Sequence, residues 1–338
     1  MGVTDSSIYV MMETDSQEAI KVLYRLSGDS KFKEAKTNFY IKTNSEPQNF
    51  VHRVLLKNLN SSSKYEYKVS YNNESIDGNF IMAPKKKEAF RFAVFGDLRS
   101  NPKMHSNISN LVNTHNPQFV ILTGDITFKP DYQFWKDEFW VPSFSNLVRN
   151  VPFINAVGNH EDWSENTKAF LQGPIIDEPD NGYYAINYGD IFFLVLNTEI
   201  SVSKNSPQWK FAKENLEKSK SKLKIVVCHI PAFCGGGHGE NKNMKLMTSE
   251  LFEKNGVDLV LSGHSHFYQR NFYNGIYHLI LAGGGAPLYN AEIKDYVQKT
   301  VKAHHFAIFD YDGNVLKMKV YDKDNQLIDE MNYDGGRN

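Results

Sequence analysis

Five short polar clusters contain the side chains of this sequence that are most suited to catalysis. They are Gly96-Asp97-Leu98-Arg99, Gly124-Asp125, Gly158-Asn159-His160-Glu161, Val227-Cys228-His229 and Gly263-His264-Ser265-His266. Their carboxylate, amide and imidazole groups suit Zn, Mn, Fe or Ni ions better than calcium. One carboxylate can bridge two cations about 3.5–4 Å apart, and such a pair holds both the attacking and the leaving oxygen of a phosphoryl transfer. The clusters therefore predict a dinuclear metal site.

Each cluster also has a simpler interpretation when it is taken alone. Gly-Asp commonly forms a turn or a helix N-cap, and a single His at a strand end is often only hydrogen-bonded. Five clusters that all supply oxygen or imidazole donors are much harder to explain by turn chemistry. In His264-Ser265-His266, residues two apart face the same side of an extended chain, so both imidazoles can reach one site. The combination favours a shared site.

Apolar segments of the buried-strand type position these clusters. The segments are Phe90–Phe95, Phe119–Leu122, Phe153–Val157, Ile191–Leu196, Ile225–Val227 and Val257–Leu261. Between them lie segments with helical spacing of apolar residues, namely Asn107–His115, Tyr132–Val148, Gln208–Lys218 and Met244–Lys254. This alternation is typical of βαβ units. Because ligands bind beyond the carboxyl ends of strands in α/β sheets, we expect the clusters to converge there.

The first 84 residues have a different pattern, in which short strand-like segments are separated by polar turns. Regularly spaced short strands indicate a β-sandwich, and residues 59–69 are similar to the late strands of fibronectin type III modules. Residues 83–88 are polar, contain Pro84 and interrupt the strand pattern. A chain of 338 residues exceeds the size at which one hydrophobic core usually stops growing. We therefore predict two domains, residues 1–84 and 89–338.

The overall composition excludes several classes of function. Lys and Arg number 38 and Asp and Glu number 39, so a formal net charge of -1 provides no broad basic surface for nucleic acid. No apolar run approaches the roughly 18 residues that a bilayer-spanning helix needs. The two cysteines, Cys228 and Cys234, cannot form a disulfide framework, and we expect free thiols. No signal peptide is visible, and we expect that a leader has been removed and that the protein acts outside the cytoplasm.

The ordered set of motifs, from Gly96-Asp97 to Gly263-His264-Ser265-His266, resembles the calcineurin-like metallophosphoesterases. The preceding β-sandwich, the spacing from His229 to His238 and the tail Gly283-Gly284-Gly285-Ala286-Pro287-Leu288-Tyr289 are similar to the branch related to purple acid phosphatases. The resemblance covers essentially the whole chain. It implies an α/β domain of two packed sheets flanked by helices, preceded by an all-β, fibronectin-like sandwich.

The resemblance also assigns roles to individual residues. One carboxylate, that of Asp125, would bridge the two metals, which would be two divalent or trivalent transition-metal ions. The remaining metal ligands would be Asp97 and His266 on one ion, and Asn159, His229 and His264 on the other. His160 would contact the scissile phosphate and assist the leaving group. His238 matches a substrate-facing His of the branch, although a His in a Gly-rich loop is as readily explained by plain solvent exposure.

Two residues depart from the family pattern. Arg99 stands where many members have a metal-binding His, and it cannot ligate because it is permanently protonated. Phe128 stands where purple acid phosphatases have a Tyr ligand, so we expect no tyrosinate-to-iron colour. Pro102 predicts a helix start that places His105 in the first turn, beside the end of the first strand. We expect His105 to complete the first metal's ligands and Arg99 to bind a substrate phosphate oxygen; a solvated His105 and a surface-paired Arg99 are the alternative.

The expected reaction is hydrolysis of a small phosphoester, most simply by a phosphatase, through in-line attack of metal-bound hydroxide. A phosphodiesterase built on the same metal core is the first alternative. A non-catalytic binding protein on a degenerate phosphoesterase scaffold is the second, and the departures at Arg99 and Phe128 motivate it. The sequence leaves open the metal identity, the natural substrate and the oligomeric state.

Overall fold

The first seven strands form two antiparallel sheets. The structure, a computed structural model, describes residues 1–72, 74–171, 173 and 181–335. The strands are β1 Ile8–Thr14, β2 Lys21–Leu26, β3 Lys33–Lys36, β4 Phe39–Lys42, β5 Phe50–Leu56, β6 Lys64–Tyr71 and β7 Glu74–Ile81. They pair in the orders β1-β5-β4 and β3-β2-β6-β7. Val10 and Val54 of one sheet share a core with Val22 and Val69 of the other. The predicted all-β sandwich is confirmed, whereas its fibronectin-like character stays a prediction.

The strands that follow build two larger sheets. They are β8 Phe90–Phe95, β9 Phe119–Leu122, β10 Phe153–Asn155, β11 Tyr184–Tyr188, β12 Ile191–Val195, β13 Leu223–Val227, β14 Leu259–Ser262, β15 Tyr268–Tyr273, β16 Ile276–Leu281, β17 Val297–Val301, β18 His305–Tyr311, β19 Leu316–Asp322 and β20 Leu327–Tyr333. Within the described residues, one sheet has the order β10-β9-β8-β18-β19-β20 and the other β11-β12-β13-β14-β16-β15-β17. The β18–β19 hairpin turns at Asp312-Gly313, as the sequence predicted.

Helices cover the outer faces of these two sheets. They are α1 Pro102–Thr114, α2 Tyr132–Phe134, α3 Pro142–Asn150, α4 Glu165–Phe170, α5 Pro207–Lys218, α6 Lys242–Met247 and α7 Glu253–Asn255, with π-helical turns at Trp135–Phe139 and Thr248–Phe252. Phe92 and Val94 of β8 point into the core between the sheets. Ala93 and Phe95 alternate with them and pack in the cluster that contains α1 residues such as Ile108. The predicted two-sheet α/β architecture flanked by helices is confirmed.

The single helix predicted over Tyr132–Val148 is wrong. The chain forms α2 and a π-helical turn, leaves the helical conformation at Trp140 (φ -81°, ψ 40°), and starts again at α3 with Pro142 in its first turn. Proline cannot supply the N–H that a continuous helix needs at that position. Apolar residues on both sides of this break, such as Trp135 and Phe144, pack in the same core cluster. Their spacing therefore resembled that of one continuous helix.

The β-sandwich packs closely on the helices of the larger part. Arg53, which is 2% exposed, donates from one terminal nitrogen to the carbonyl oxygens of Lys168 and Ala169 at 2.7 and 3.0 Å. Lys136 forms an ion pair with Glu13 at 2.8 Å. The division into residues 1–84 and 89–338 stays a prediction. The strands up to Ile81 and those from Phe90 onward belong to different sheets. Among the described helices, none has both the length and the hydropathy to cross a bilayer.

Candidate metal centre

The carboxyl ends of parallel strands bring the predicted clusters together. Strands β8, β9 and β10 are parallel in one sheet, and β12, β13 and β14 are parallel in the other. Asp97, Asp125 and Asn159 follow the first three strands, while His229 and His264 follow β13 and β14. Ligand atoms of Asp97, Asp125 and His229 all lie within 4.8 Å of one another, and all three residues are buried. The predicted convergence is confirmed for these three.

The other predicted ligands adjoin this group. His229 Nε2 lies 3.2 Å from Asp125 Oδ1 and 3.1 Å from Asn159 Oδ1. His264 Nδ1 lies 3.3 Å from His229 Nε2. His266 Nε2 lies 3.3 Å from Asp97 Oδ1. All six predicted metal ligands therefore meet at one place, with the two carboxylates between two sets of imidazoles.

Backbone carbonyl groups orient two of the imidazoles. His229 Nδ1 donates to the carbonyl oxygen of Thr123 at 2.8 Å, and His266 Nδ1 donates to that of Pro287 at 2.7 Å. A carbonyl oxygen can only accept, so Nδ1 carries a proton in each ring, and Nε2 is the nitrogen that points into the cluster and would bind a cation once it is deprotonated. This is the usual way in which proteins hold a metal-binding His. The donor set, its burial and its ring orientations fit a pair of transition-metal cations.

Three of the predicted ligands have left-handed backbone conformations. The φ angles are 56° at Asp97, 51° at Asp125 and 70° at His264. Such conformations cost about 1–3 kcal/mol each and persist where the surrounding structure enforces them, often at functional sites. The preceding glycines allow close approach of the loops: a Cβ at Gly158 would lie 2.1 Å from Asp125 N, and one at Gly263 would lie 2.6 Å from Asp97 Oδ2. The backbone conformation of these loops therefore brings the predicted metal ligands close together.

Charge is strongly coupled at Asp125. Burial alone would raise the pKa of its carboxyl group, but the neighbouring His229, His160 and Arg99 hold that pKa well below its ordinary value. Conversely, burial disfavours the charged form of His229, and Asp125 more than offsets this and raises the pKa of His229. Burial and then the charge of His229 lower the pKa of His264 to about 3, which leaves its ring neutral and able to donate a lone pair. The carboxyl group of Asp125 is therefore held ionised at the place where a cation would bind.

Two buried glutamates fix the loops that carry the donors. Glu161 accepts hydrogen bonds from the backbone N–H groups of Asp125, Ile126 and Gly158. The partners of Glu161 are thus backbone groups of the donor loops. Glu138, in the π-helical turn, accepts from the N–H groups of Ser100 and Phe128 at 3.0 and 2.6 Å. No sequence motif surrounds Glu138, so its role could not be predicted from the sequence.

His160 lies at the open side of the cluster. Its Nδ1 donates to the carbonyl oxygen of Phe128 at 2.8 Å, and its Nε2 lies 3.9 Å from Asp125 Oδ2. The side chain is 25% exposed, so Nε2 is accessible to a substrate. His238 is exposed on the same side, where its ring contacts those of His264 and Tyr289. The Tyr289 ring in turn stacks on His266 with a centroid distance of 4.3 Å.

Arg99 and His105 differ in their relation to the cluster. Arg99 is 6% exposed and donates from Nε to Asp125 Oδ2 at 3.2 Å, so it lies inside the cluster rather than on the surface. His105 lies in the first turn of α1, as predicted, and is buried. Its Nδ1 donates to the Glu138 carbonyl oxygen at 2.8 Å and its ring contacts that of Phe144. Neither contact is with a residue of the cluster, so they do not support a ligand role. That role of His105 stays a prediction.

The packed sheets, the helices on their outer faces and the largely buried donor cluster define an α/β sandwich protein with a candidate metal centre. The chain belongs to the calcineurin-like phosphoesterase family, whose sequence profile matches residues 90–268. The resemblance inferred from the motifs is thereby confirmed.

Individual relatives are phosphatases. The chain is 25% identical over 262 residues to a phosphoenolpyruvate phosphatase of Allium cepa, covering 71% of this chain and 54% of that protein. It is 25% identical over 245 residues to the Fe(3+)-Zn(2+) purple acid phosphatase 12 of Arabidopsis thaliana, covering 66% and 52%. The chain thus spans about half the length of these relatives. A purple acid phosphatase from seeds of yellow lupin (Lupinus luteus) has the same fold, with a TM-score of 0.82 at 19% identity, over 98% of this chain and 72% of that one.

Proposed function

We propose that this protein is a metal-dependent phosphoester hydrolase and acts as a phosphatase. One observation carries the proposal. Carboxylate, amide and imidazole donors from five strand ends meet in one cluster, with Nε2 of His229 and of His266 directed into it. The membership in the phosphoesterase family and the relatives named as phosphatases support the same activity.

The donors divide into two cation positions that share Asp125. Asp97, His266 and Asp125 would hold a cation in the first position, and Asn159, His229, His264 and Asp125 would hold one in the second. A pair of bound cations neutralises charge on the phosphate and makes a water molecule acidic enough to attack phosphorus. Fe, Mn, Zn and Ni all suit these donors. The iron and zinc in the name of the Arabidopsis relative support this choice of metals.

Residues at the open side of the cluster handle the substrate. Phe128 O accepts from His160 Nδ1, so in the doubly protonated form of the ring Nε2–H is the group that would pass its proton to the leaving oxygen. His238, exposed beside Tyr289, would hold a phosphate oxygen. Arg99 would contribute positive charge toward the phosphate, as expected from the sequence. The buried walls behind these groups strengthen such electrostatic contacts by excluding water.

Substitution of Asn159 by alanine tests the hydrolase. Asn159→Ala removes the amide oxygen that lies 3.1 Å from His229 Nε2. We expect kcat/KM for 4-nitrophenyl phosphate to fall about a hundredfold or more, with less metal bound per chain. Asn113→Ala, at an exposed position of α1, is the matched control and should retain activity. If Asn159→Ala hydrolyses the ester at the wild-type rate, the proposed active site is wrong.

A comparison of two substrates separates phosphatase from phosphodiesterase. Mono- and bis(4-nitrophenyl) phosphate should be compared with protein loaded with Zn, Mn, Fe or Ni. Preference for the monoester supports the phosphatase, and preference for the diester identifies a phosphodiesterase on the same core. A protein that binds phosphate esters but hydrolyses neither would be a binding protein on this scaffold.

The remaining parts of the proposal concern the whole chain. Residues 1–84 would form a fibronectin type III-like domain and residues 89–338 the phosphoesterase domain. Their sheets do not share strands among the described residues, which supports this division. A location outside the cytoplasm follows from the resemblance to the purple-acid-phosphatase branch.

A further inference from the structure

The two oxygens of Asp125 have different partners. Oδ1 faces His229 Nε2 at 3.2 Å, on the side of the second position. Oδ2 accepts a hydrogen bond from Arg99 Nε at 3.2 Å, on the side of the first position. Both side chains of this ion pair are nearly inaccessible, with exposures of 8% for Arg99 and 2% for Asp125. The pair is therefore poorly screened by solvent, unlike a surface salt bridge.

Arg99 also contacts a second donor of the first position. Because His266 Nδ1 donates to Pro287 O, its Nε2 is an acceptor, and a terminal nitrogen of Arg99 lies 3.4 Å from it. The guanidinium group thus contacts Asp125 Oδ2 and His266 Nε2. A cation in the first position would need the lone pairs of these same two atoms. Among the described residues, no lysine or arginine hydrogen-bonds to Asn159, His229 or the side chain of His264.

We propose that Arg99 makes the two cation positions unequal, so that the second position fills tightly and the first only at higher free cation concentration. A cation entering the first position must displace the guanidinium from Asp125 Oδ2 and His266 Nε2, and it meets a fixed positive charge close by. Among the residues that the structure describes, no lysine or arginine competes in this way at Asn159, His229 or the His264 side chain. This inference rests on the proposed dinuclear function and adds that activity depends on the free cation level through Arg99.

Calorimetric titration of the chelator-stripped full chain with Zn²⁺ tests this inference. The wild-type protein should bind one equivalent tightly and a second in a separate, weaker step. Arg99→Ala and Arg99→His should raise the affinity of the second step about ten- to a hundredfold, because the charge has gone. Arg99→His also supplies an imidazole of the kind that many family members have at this position. Arg99→Lys retains the charge and should keep the weak step, which makes it the matched control.

Further variants assign the steps to positions. Asn159→Ala should weaken the tight step and His266→Ala the weak one. Circular dichroism of each variant shows whether it is folded, and Arg99→His covers the case in which Arg99→Ala does not fold. Two equal steps in the wild-type protein, or unchanged affinities in both folded Arg99 variants, would overturn the inference. Unequal steps without hydrolysis of any phosphate ester would overturn the proposed function and leave the role of Arg99 in cation binding intact.

Discussion

At the scale of single residues, His160 is the group whose position most clearly implies a chemical step. Its Nδ1 proton is committed to Phe128 O, and its Nε2 faces the open side of the cluster, 3.9 Å from Asp125 Oδ2. In its doubly protonated form, a ring held in this way carries a second proton on Nε2 and can release it to a substrate oxygen. The ring of Phe128 lies against it, at a centroid distance of 5.4 Å, and limits its rotation. Its orientation is thus set before a substrate arrives.

The loss of kcat that follows removal of His160 should therefore depend on the leaving group. Phenol is a poor leaving group and needs a proton, whereas 4-nitrophenol departs readily without one. We expect His160→Ala to reduce kcat for phenyl phosphate at least about tenfold more than for 4-nitrophenyl phosphate. Metal content, measured by atomic spectroscopy, should stay at the wild-type value. Equal losses with both esters would mean that His160 only binds phosphate.

Phe128 predicts the colour of the iron-loaded protein. A phenyl ring cannot form the tyrosinate bond to iron, so we expect no visible charge-transfer band. Tyr289 is the tyrosine to check, because its ring stacks on the predicted ligand His266. The absorption spectrum of the iron-loaded wild-type protein decides the matter. A purple preparation would contradict the alignment at Phe128, unless Tyr289→Phe abolished the band, in which case Tyr289 would be the ligand.

At the scale of elements, the π-helical turn Trp135–Phe139 joins the two loops that carry the aspartates. Glu138 is 7% exposed and accepts from Ser100 N and Phe128 N, which lie in the loops after β8 and β9. Glu13 of β1 holds the same turn from outside through Lys136. The β-sandwich thus supports the element that fixes the spacing of Asp97 and Asp125.

Loss of one carboxylate oxygen from Glu138 should loosen both loops. Glu138→Gln presents an NH₂ group to a backbone N–H, so one buried donor loses its partner at a cost of about 1–3 kcal/mol. We expect a lower Tm and a fall of about tenfold in kcat/KM for 4-nitrophenyl phosphate, from imperfect placement of the centre. Asp137→Asn, at an exposed position of the same turn, is the control. Wild-type Tm and activity in Glu138→Gln would show that the hydrogen bonds from Glu138 to the two loops are dispensable.

The sequence predicted the elements whose burial is purely apolar. The ranges of β8 and β9 agree with the predicted strands, because continuous apolar runs mark strands that are buried on both faces. Strand β15 was missed because Gln269 and Asn271 look solvent-exposed in the sequence. Both are fully buried, and they are paired with the backbone of Gly235 and Phe233. Long-range pairing of this kind leaves no periodic signal.

The candidate site was predictable to a similar extent. The six predicted metal ligands follow strands that the sequence also predicts, so their convergence could be expected. Glu138 could not be found, because its two partners are 38 and 10 positions away and are backbone groups without side-chain identity. The buried ion pair of Arg99 with Asp125 was likewise invisible, since spacing alone placed Arg99 near the site without choosing its partner.

At the scale of the whole molecule, one continuous core links the parts. The cluster that contains Val10 and Val54 of the β-sandwich also contains Phe92 and Phe193 of the two larger sheets. Arg53 closes the same interface through the carbonyl groups of α4. Such a shared core favours cooperative unfolding, so a change in any buried group should alter the stability of the entire chain. Buried histidines then influence the acid stability of the whole protein.

His278 is the clearest of these histidines. It lies on β16, is 2% exposed, and neither ring nitrogen has a hydrogen-bond partner among the described residues. Its ring packs against that of Phe233. Burial lowers its pKa to about 3, and burial also lowers the pKa of His305 to about 4. The folded chain therefore holds both rings neutral in mild acid.

Acid should destabilise the protein through these two rings. Below about pH 6.5 these two rings bind protons in the unfolded chain but stay neutral in the folded chain. The free energy of unfolding therefore falls as the pH falls. Each ring adds a slope approaching about 1.4 kcal/mol per pH unit down to its folded pKa. His278→Phe removes one titrating ring, and urea unfolding between pH 7 and 4.5 should show a shallower loss of stability. Ile280→Val, a substitution on the same strand without a titratable group, should lower stability about equally at every pH. An unchanged slope in His278→Phe would mean that the folded protein admits the proton, and that the ring is less isolated than its packing indicates.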